Sequence, residues 1–173
     1  MSIVLIGYRG SGKTSVGRRV AERLGWTFVD ADERIVQRAG KTIKAIFAED
    51  GEPAFRDLEA SVVEALLPND RHVISLGGGA VMRETTRQRL RSSGRRVVYL
   101  RADAQTLHDR IHADTGTAAN RPALTHLGGG IEEIRQLLEM REPGYQSVMT
   151  HELDVSKLTI DQAADQILRM LPQ

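Results

Sequence analysis

The apolar positions of the chain alternate between short continuous runs and runs with helical spacing. Ile3–Ile6 is an uninterrupted apolar run, which is typical of a β-strand covered on both faces. Val16, Val20 and Leu24 then recur one helical turn apart, and Gly25 is placed to end that helix. The same change of period predicts further strands at 27–29, 72–76, 96–100 and 153–155. Strands separated by helices form parallel sheets covered on both faces, so the pattern predicts an α/β fold.

Helices are predicted between these strands, and one long segment has no pattern of its own. Residues 31–67 are predicted to be mainly helical, with breaks at Gly40 and at Gly51-Glu52-Pro53. Further helices are predicted at 83–91, around Leu107 and Ile111, at 131–141, and after a capping box formed by Thr159 and Gln162. Residues 113–130 have no apolar period and are rich in glycine, so we expect a lid or binding loop at about 113–126.

Length and composition limit the class of protein. The 173 residues fit one domain, and the absence of cysteine excludes a disulfide framework and a thiolate zinc site. Lysine and arginine number 24 against 23 acidic residues, and this net charge of +1 gives no field that attracts nucleic acid or an anionic membrane. No apolar run approaches the roughly 20 residues that span a bilayer. We therefore expect a single-domain cytoplasmic protein over 1–173, with no nucleic-acid or membrane partner and monomeric by default.

A phosphate-binding motif follows the first predicted strand. Residues 7–14 read Gly-Tyr-Arg-Gly-Ser-Gly-Lys-Thr, which matches G-x-x-x-x-G-K-[ST] with a strand before it and an amphipathic helix after it. Glycines let successive backbone N–H groups converge on phosphate oxygens, and the helix start adds its positive dipole. We expect Lys13 to reach the β- and γ-phosphates of a nucleoside triphosphate and the Thr14 hydroxyl to bind Mg²⁺. The motif alone does not choose among a GTPase, an ATPase and a small-molecule kinase. The predicted nucleotide site consists of Gly10, Ser11, Gly12, Lys13, Thr14 and Ser15.

Two aspartates follow the second predicted strand. Asp30 and Asp32 belong to Val-Asp-Ala-Asp, and in an extended chain their side chains point the same way, towards the nucleotide. Asp30 then suits Mg²⁺, and Asp32 suits a substrate hydroxyl that must be oriented or deprotonated. Alternatively, Asp32 caps a helix that begins at Glu33, and one residue can serve both purposes.

Further motifs narrow the kind of nucleotide-binding protein. The chain has neither the Asn-Lys-x-Asp nor the Asp-x-x-Gly sequence of a switch GTPase. It does contain Phe-Arg-x-x-Glu at 55–59, Gly-Gly-Gly at 77–79, Arg-Pro at 121–122 and Arg-x-Pro-x-Tyr at 141–145. Together with the phosphate-binding motif and Asp-x-Asp, these motifs are specific in their order and spacing. In them the chain resembles the shikimate kinases, from Ile3 to at least Tyr145.

The resemblance implies a reaction, a fold and a set of site residues. The reaction is transfer of the ATP γ-phosphoryl group to the 3-hydroxyl of shikimate, in the chorismate pathway to aromatic amino acids. The fold is of the nucleoside monophosphate kinase type, a five-stranded parallel sheet in the order 2-3-1-4-5 flanked by helices. The implied shikimate contacts are Asp32, Arg56, Gly78, Gly79 and Arg141, and 31–67 is the substrate-binding region. The implied ATP and magnesium residues are Lys13, Thr14 and Asp30, with Arg121 as a lid arginine that closes over the phosphates. The expected catalytic residues are Asp32, Lys13 and Arg121.

The chemistry of the two arginines agrees with this expectation. A small anionic substrate favours planar guanidinium groups that bind a carboxylate through paired hydrogen bonds. Arg56 and Arg141 are candidates on separate predicted helices. One position departs from the family pattern. Many relatives carry a basic residue over adenine seven residues before the Arg-Pro pair, where this chain has Asp114. We expect Arg110, Asn120 or a main-chain group to replace it, with 154–157 on the other side of the base.

Two other functions remain open on the sequence. One is another small-metabolite kinase of the same fold, such as a gluconate kinase, whose substrate is also a carboxylated polyol. The other is a nucleotide-binding regulatory module without turnover, acting on nucleic acid through the arginine-rich segment 83–96. That segment has no aromatic residues for base stacking between its arginines, so we interpret it as a solvated helix face. His108 and His112 have the spacing of two metal ligands, but nothing in the sequence identifies a third ligand, and we interpret them as solvated.

Overall fold

Five parallel strands form the centre of the part of the chain that this computed structural model describes, residues 1–114 and 130–171. The strands are β1 (Ile3–Ile6), β2 (Thr27–Asp30), β3 (His72–Ser75), β4 (Arg96–Arg101) and β5 (His151–Asp154). The first four lie within one residue of their predicted ranges, and β5 begins two residues before the predicted 153–155 and ends at Asp154. Their order in the sheet is β2-β3-β1-β4-β5, which confirms the order that the resemblance implied.

Eight α-helices and a short 3₁₀ turn, Ala80–Met82, surround this sheet within the described residues. The helices are α1 (Lys13–Leu24), α2 (Ala31–Ala39), α3 (Ile43–Glu49), α4 (Gly51–Leu66), α5 (Glu84–Ser92), α6 (Ala104–Ala113), α7 (Ile131–Gln146) and α8 (Ile160–Arg169). The central strand β1 supplies both faces of the core. Val4 and Ile6 pack with α2 to α5, whereas Ile3 and Leu5 pack with α1, α6 and α8. None of the described helices combines the length and the apolar character needed to cross a membrane.

Two helix boundaries differ from the prediction. The expected break at Gly51-Glu52-Pro53 is the start of α4, because proline fits the first turn of a helix, where its missing N–H has no intrahelical acceptor. α7 continues through Pro143, although the pattern predicted an end near Arg141. Tyr145, beyond that point, is fully buried, and the carbonyl that loses its partner belongs to Glu139, which is exposed to water.

The carboxyl ends of β1, β2 and β3 meet at one edge of the sheet. Leu5 of β1 and Asp30 of β2 both pair with Ser75 of β3. The turn after β1, the end of β2 and the glycines after β3 are therefore neighbours. Ligands of open parallel sheets bind at this edge.

Candidate active site

The turn after β1 forms a cradle of backbone N–H groups. Gly10 and Gly12 have φ angles of 83° and 89°, a left-handed conformation that favours glycine. Lys13 begins α1 directly after them, so the first N–H groups of the helix face the loop. The Ser11 hydroxyl is buried here and has no hydrogen-bond partner among the described residues. A buried polar atom in a glycine-rich helix start fits the phosphate groups of ATP.

Lys13 places a positive charge within this cradle. Its ammonium group donates to the carbonyl oxygen of Gly7 at 2.8 Å and to that of Tyr8 at 2.9 Å. The six residues predicted to bind the nucleotide, Gly10 to Ser15, all line one cavity of about 420 Å³. The geometry therefore brings together these six predicted residues of the phosphate site.

Thr14 and Asp30 bring oxygen atoms together beside the cradle. Thr14 Oγ1 donates to Asp30 Oδ2 at 3.1 Å, and Asp30 is buried at the end of β2. The second carboxylate oxygen of Asp30 accepts the backbone N–H of Asp32 at 2.9 Å, which fixes the side chain. Hydroxyl and carboxylate oxygens are the donors that Mg²⁺ prefers, so these two residues fit that ion.

Asp32 reaches the cavity by a route that the sequence did not predict. The extended conformation expected for Val-Asp-Ala-Asp is wrong, because β2 ends at Asp30 and Asp32 lies in the first turn of α2. The alternative that Asp32 caps a helix beginning at Glu33 is also wrong, since the side chain of Asp30 caps α2. Both carboxylates still line the same cavity, because the cap and the first turn of one helix are adjacent.

The glycines at 77–79 let the chain pass directly over four charged side chains. A methyl group on Gly77 would lie 2.8 Å from Glu59 Oε1 and 3.0 Å from Asp32 Oδ1. A methyl group on Gly78 would lie 3.4 Å from Arg141 Nη1, and one on Gly79 would lie 2.7 Å from both terminal nitrogens of Arg56. The turn needs glycine for this close approach and not for an unusual φ angle. It therefore gathers predicted substrate residues from α2, α4 and α7 at one place.

Arg56 is held by two glutamates of its own helix. Its Nη1 donates to Glu59 Oε2 at 2.7 Å, and its Nη2 donates to Glu52 Oε1 at 3.3 Å. Glu59 is 3% exposed, and its Oε1 has no hydrogen-bond partner in the described ranges. Burial raises the pKa of Glu59, and the nearby guanidinium of Arg56 opposes that rise. The pair fixes the Arg56 guanidinium against Gly79.

Arg141 lies between the glycine turn and the phosphate cradle. It is 7% exposed, and its guanidinium stands over the ring of Tyr8, with the central carbon 5.3 Å from the ring centroid. Tyr8 is itself a buried residue of the cradle loop. An anion bound by Arg141 and Arg56 therefore lies next to the place that suits the phosphates.

The other end of the cavity is mostly apolar and suits a nucleotide base. It is lined by Ile111, Val155, Leu158, Ile160 and Ala163, together with Arg110, Asp114 and Thr159. Arg110 Nη2 donates to the carbonyl oxygen of Val155 at 2.8 Å. Arg110 was one of the expected replacements for the basic residue over adenine, and Val155 belongs to the segment 154–157 expected on the other side of the base. The contacts with the base itself stay a prediction.

Several expectations concern residues beyond this cavity. Arg121, Asn120 and positions 115–126 of the predicted lid lie outside the described residues.

The arginines of segment 83–96 bond to carboxylates of Asp57, Glu64, Asp70 and Glu84 and to backbone carbonyls. This pairing argues against a free basic face. The rings of His108 and His112 are 4.0 Å apart, and no group of three metal-binding side chains occurs in 1–114 and 130–171.

Two residues of the site had no assigned role in the sequence. Glu59 lies on the buried face of α4 together with Phe55, Val62 and Val63. A charged residue on an apolar helix face is unusual, and this position could have indicated a functional role from the sequence. Tyr145 closes the Arg-x-Pro-x-Tyr motif, and its hydroxyl donates to the carbonyl oxygen of Gly78 at 2.6 Å. No local pattern indicates that contact.

A phosphate cradle on a sheet of this order, with a carboxylate and two arginines beside it, defines a P-loop phosphotransferase that acts on a small molecule. Residues 9–172 match the family model described as shikimate kinase. The shikimate kinase of Thermobifida fusca is 46% identical, over 98% of this chain and 94% of the relative. That of Symbiobacterium thermophilum is 38% identical, over 100% and 97%. Shikimate kinase from Acinetobacter baumannii in complex with shikimate has a TM-score of 0.89 and 34% identity, over 98% of this chain and 91% of that one. The chain belongs to the shikimate kinase family.

Proposed function

We propose that the chain transfers the γ-phosphoryl group of ATP to the 3-hydroxyl group of shikimate. One observation carries the proposal. The cavity is lined by the phosphate cradle on one side and by Asp32, Gly77 and Gly78 on the other. Arg141 and Arg56 lie next to this second side, against Gly78 and Gly79. A phosphoryl donor and an anionic acceptor can therefore bind next to each other, with the carboxylate of Asp32 between them.

The acceptor side holds a carboxylated ring by its two ends. Arg56 and Arg141 bind the substrate carboxylate with paired hydrogen bonds, next to the backbone of Gly78 and Gly79. Asp32 accepts a hydrogen bond from the attacking hydroxyl and takes its proton as the new bond to the γ-phosphorus forms. The bond from that phosphorus to the bridging oxygen breaks, and ADP leaves with this oxygen. Because these side chains come from three different helices, the ring is held in one orientation.

The donor side neutralises and orients the triphosphate. Lys13 and the N–H groups of the cradle bind the β- and γ-phosphates. Thr14 and Asp30 would hold Mg²⁺, which screens the charge of the phosphates when it is bound. Arg121 closes over the transferred group, and the lid at 113–126 excludes water, which otherwise competes as the acceptor.

The organisation of the chain follows from these roles. The region 31–67 supplies Asp32 and Arg56 and forms the substrate-binding part of a single domain over 1–173. We propose further that the protein acts in the cytoplasm as a monomer. The phosphate cradle, Asp32 and both arginines are neighbours within one folded chain, so the proposed site needs no second copy.

Shikimate-dependent release of ADP, measured in a coupled assay with ATP and Mg²⁺, tests the proposed function. We expect saturable turnover with shikimate and none with gluconate, and carbon–phosphorus couplings in the NMR spectrum of the product should place the phosphate on the 3-oxygen. Turnover with gluconate alone would contradict the proposed acceptor. Binding of ATP without turnover of either compound would favour a regulatory module.

A further inference from the structure

One buried hydroxyl connects the end of α7 to the glycine turn. Tyr145 is fully buried, and its Oη donates to the carbonyl oxygen of Gly78 at 2.6 Å. Burial raises the pKa of Tyr145, and the neighbouring charge of Arg141 opposes only part of that rise. The hydroxyl therefore remains protonated, and remains a donor, in neutral solution.

The carbonyl group of Gly78 and the N–H group of Gly79 belong to one peptide unit. The N–H of Gly79 belongs to that planar trans unit and points in the opposite direction. Whatever fixes the carbonyl therefore also fixes the direction of the N–H. Glycines restrain their own dihedral angles least of all residues, so the peptide needs an outside contact to hold one orientation.

We propose that Tyr145 is a positioning residue for the acceptor site, whose hydroxyl holds the Gly78–Gly79 peptide so that the Gly79 N–H faces the substrate carboxylate. The proposal rests on the proposed function, which assigns a carboxylate to that place. In this proposal Tyr145 acts through the peptide. Its hydroxyl also interacts with the guanidinium of Arg141, so amide exchange across 76–82 separates an effect through the peptide from one through Arg141. Gly144 allows α7 to come this close, because a methyl group there would lie 3.3 Å from the carbonyl oxygen of Val81.

Tyr99 of β4 provides a matched comparison. Its ring stacks on the ring of Tyr145, with centroids 4.7 Å apart, and it is 1% exposed. Its Oη donates to Glu142 Oε2 at 2.7 Å and has no bond to the glycine turn. Tyr145→Phe and Tyr99→Phe each keep the stacked ring and remove one buried hydroxyl, but only the first releases Gly78.

Calorimetric titration with shikimate in the absence of nucleotide tests the proposal. We expect Tyr145→Phe to bind shikimate about tenfold more weakly than the wild-type protein, as for the loss of one oriented hydrogen bond. Tyr99→Phe should bind it as the wild type does, and the KM for ATP should stay the same in both variants. Amide hydrogen exchange across 76–82 should be faster in Tyr145→Phe alone, and thermal unfolding verifies that both variants are folded.

Unchanged shikimate affinity in Tyr145→Phe would overturn the proposal, and so would an equal loss in both variants, because a general effect of removing a buried hydroxyl would then explain the result. If the wild-type protein itself does not bind shikimate, the proposed function fails instead. The exchange rates then decide whether Tyr145 holds the turn, and equal rates across 76–82 in the wild type and Tyr145→Phe would overturn that role.

Discussion

Replacing Gly79 by alanine is expected to weaken shikimate binding without straining the backbone. Gly79 has φ of −100° and ψ of −5°, which alanine adopts. The added methyl group would lie 2.7 Å from both terminal nitrogens of Arg56, which is closer than real contacts of this kind, so the guanidinium must move. The movement takes it away from Glu59 and from the place proposed for the substrate carboxylate.

The contacts of Arg56 set the size of the effect. A hydrogen bond to a charged group contributes about 1.5–3 kcal/mol, so the loss of one raises the KM for shikimate by about 10- to 150-fold. The side chain of Arg56 is 23% exposed and long enough to regain part of the contact in another rotamer. We therefore expect an increase near the lower end, about tenfold. Arg56 does not line the cavity that contains the phosphate cradle, so the KM for ATP should change little.

Initial rates with shikimate and ATP varied in turn measure both constants. Gly130→Ala is the matched control, because Gly130 has φ of −75° and a methyl group there meets no atom of the described residues within 4 Å. The reasoning would be refuted if Gly79→Ala left the KM for shikimate unchanged, or if both alanine variants raised it equally.

Three further predictions concern Glu59, Thr14 and Arg121. Because burial raises the pKa of Glu59, the folded state binds a proton more tightly than the unfolded chain, and stability falls as the pH rises above the ordinary value of 4.5 through the raised pKa. Glu59→Gln should remove this slope from a pH series of thermal unfolding. Thr14→Ala should raise the Mg²⁺ concentration needed for half-maximal activity by about tenfold, and Thr14→Ser should restore it. Arg121→Ala should lower kcat by about 10³-fold or more with little change in the unfolding temperature, and a parallel loss of both would contradict its role.

The strands and the phosphate cradle could be predicted because their signals are local. An apolar run such as Ile3–Ile6 has few other ways to be buried, and the residues of a glycine-rich helix start bind phosphate with groups that lie next to one another in the chain. The final helix was predicted for the same reason. Its capping box consists of Thr159 and Gln162, three residues apart.

Asp32 shows how a correct residue can follow from a wrong conformation. The spacing of Asp30 and Asp32 fits an extended chain and a helix start equally well. What decides between them is the burial of Ile35 in the core, which rewards a helix directly after β2. That contact is tertiary, so a pattern of two aspartates contained no information about it.

Glu59 and Tyr145 could not be given their places from the sequence. Glu59 meets the turn after β3 only when α4 packs beside it, and Tyr145 bonds to a residue 67 positions earlier in the chain. Their motifs indicated the family but not the contacts. The prediction that α7 ends near Arg141 was wrong for a related reason. The low helix propensity of Pro143 was outweighed by the burial of residues further along the helix.

The continuation of α7 through Pro143 also determines how the acceptor site is assembled. Arg141 and Tyr145 stand at positions i and i+4, so only an unbroken helix places them on one face, where they reach the side and the carbonyl of Gly78. An interior proline costs a helix about 3 kcal/mol, and here the unpaired carbonyl belongs to the exposed residue Glu139. Full burial of an aromatic side chain contributes about 3 kcal/mol, and the stacking of Tyr145 on Tyr99 and its hydrogen bond to Gly78 add to it. Together these contributions exceed the cost of the proline, so the helix continues, and its last turn supports the glycine turn.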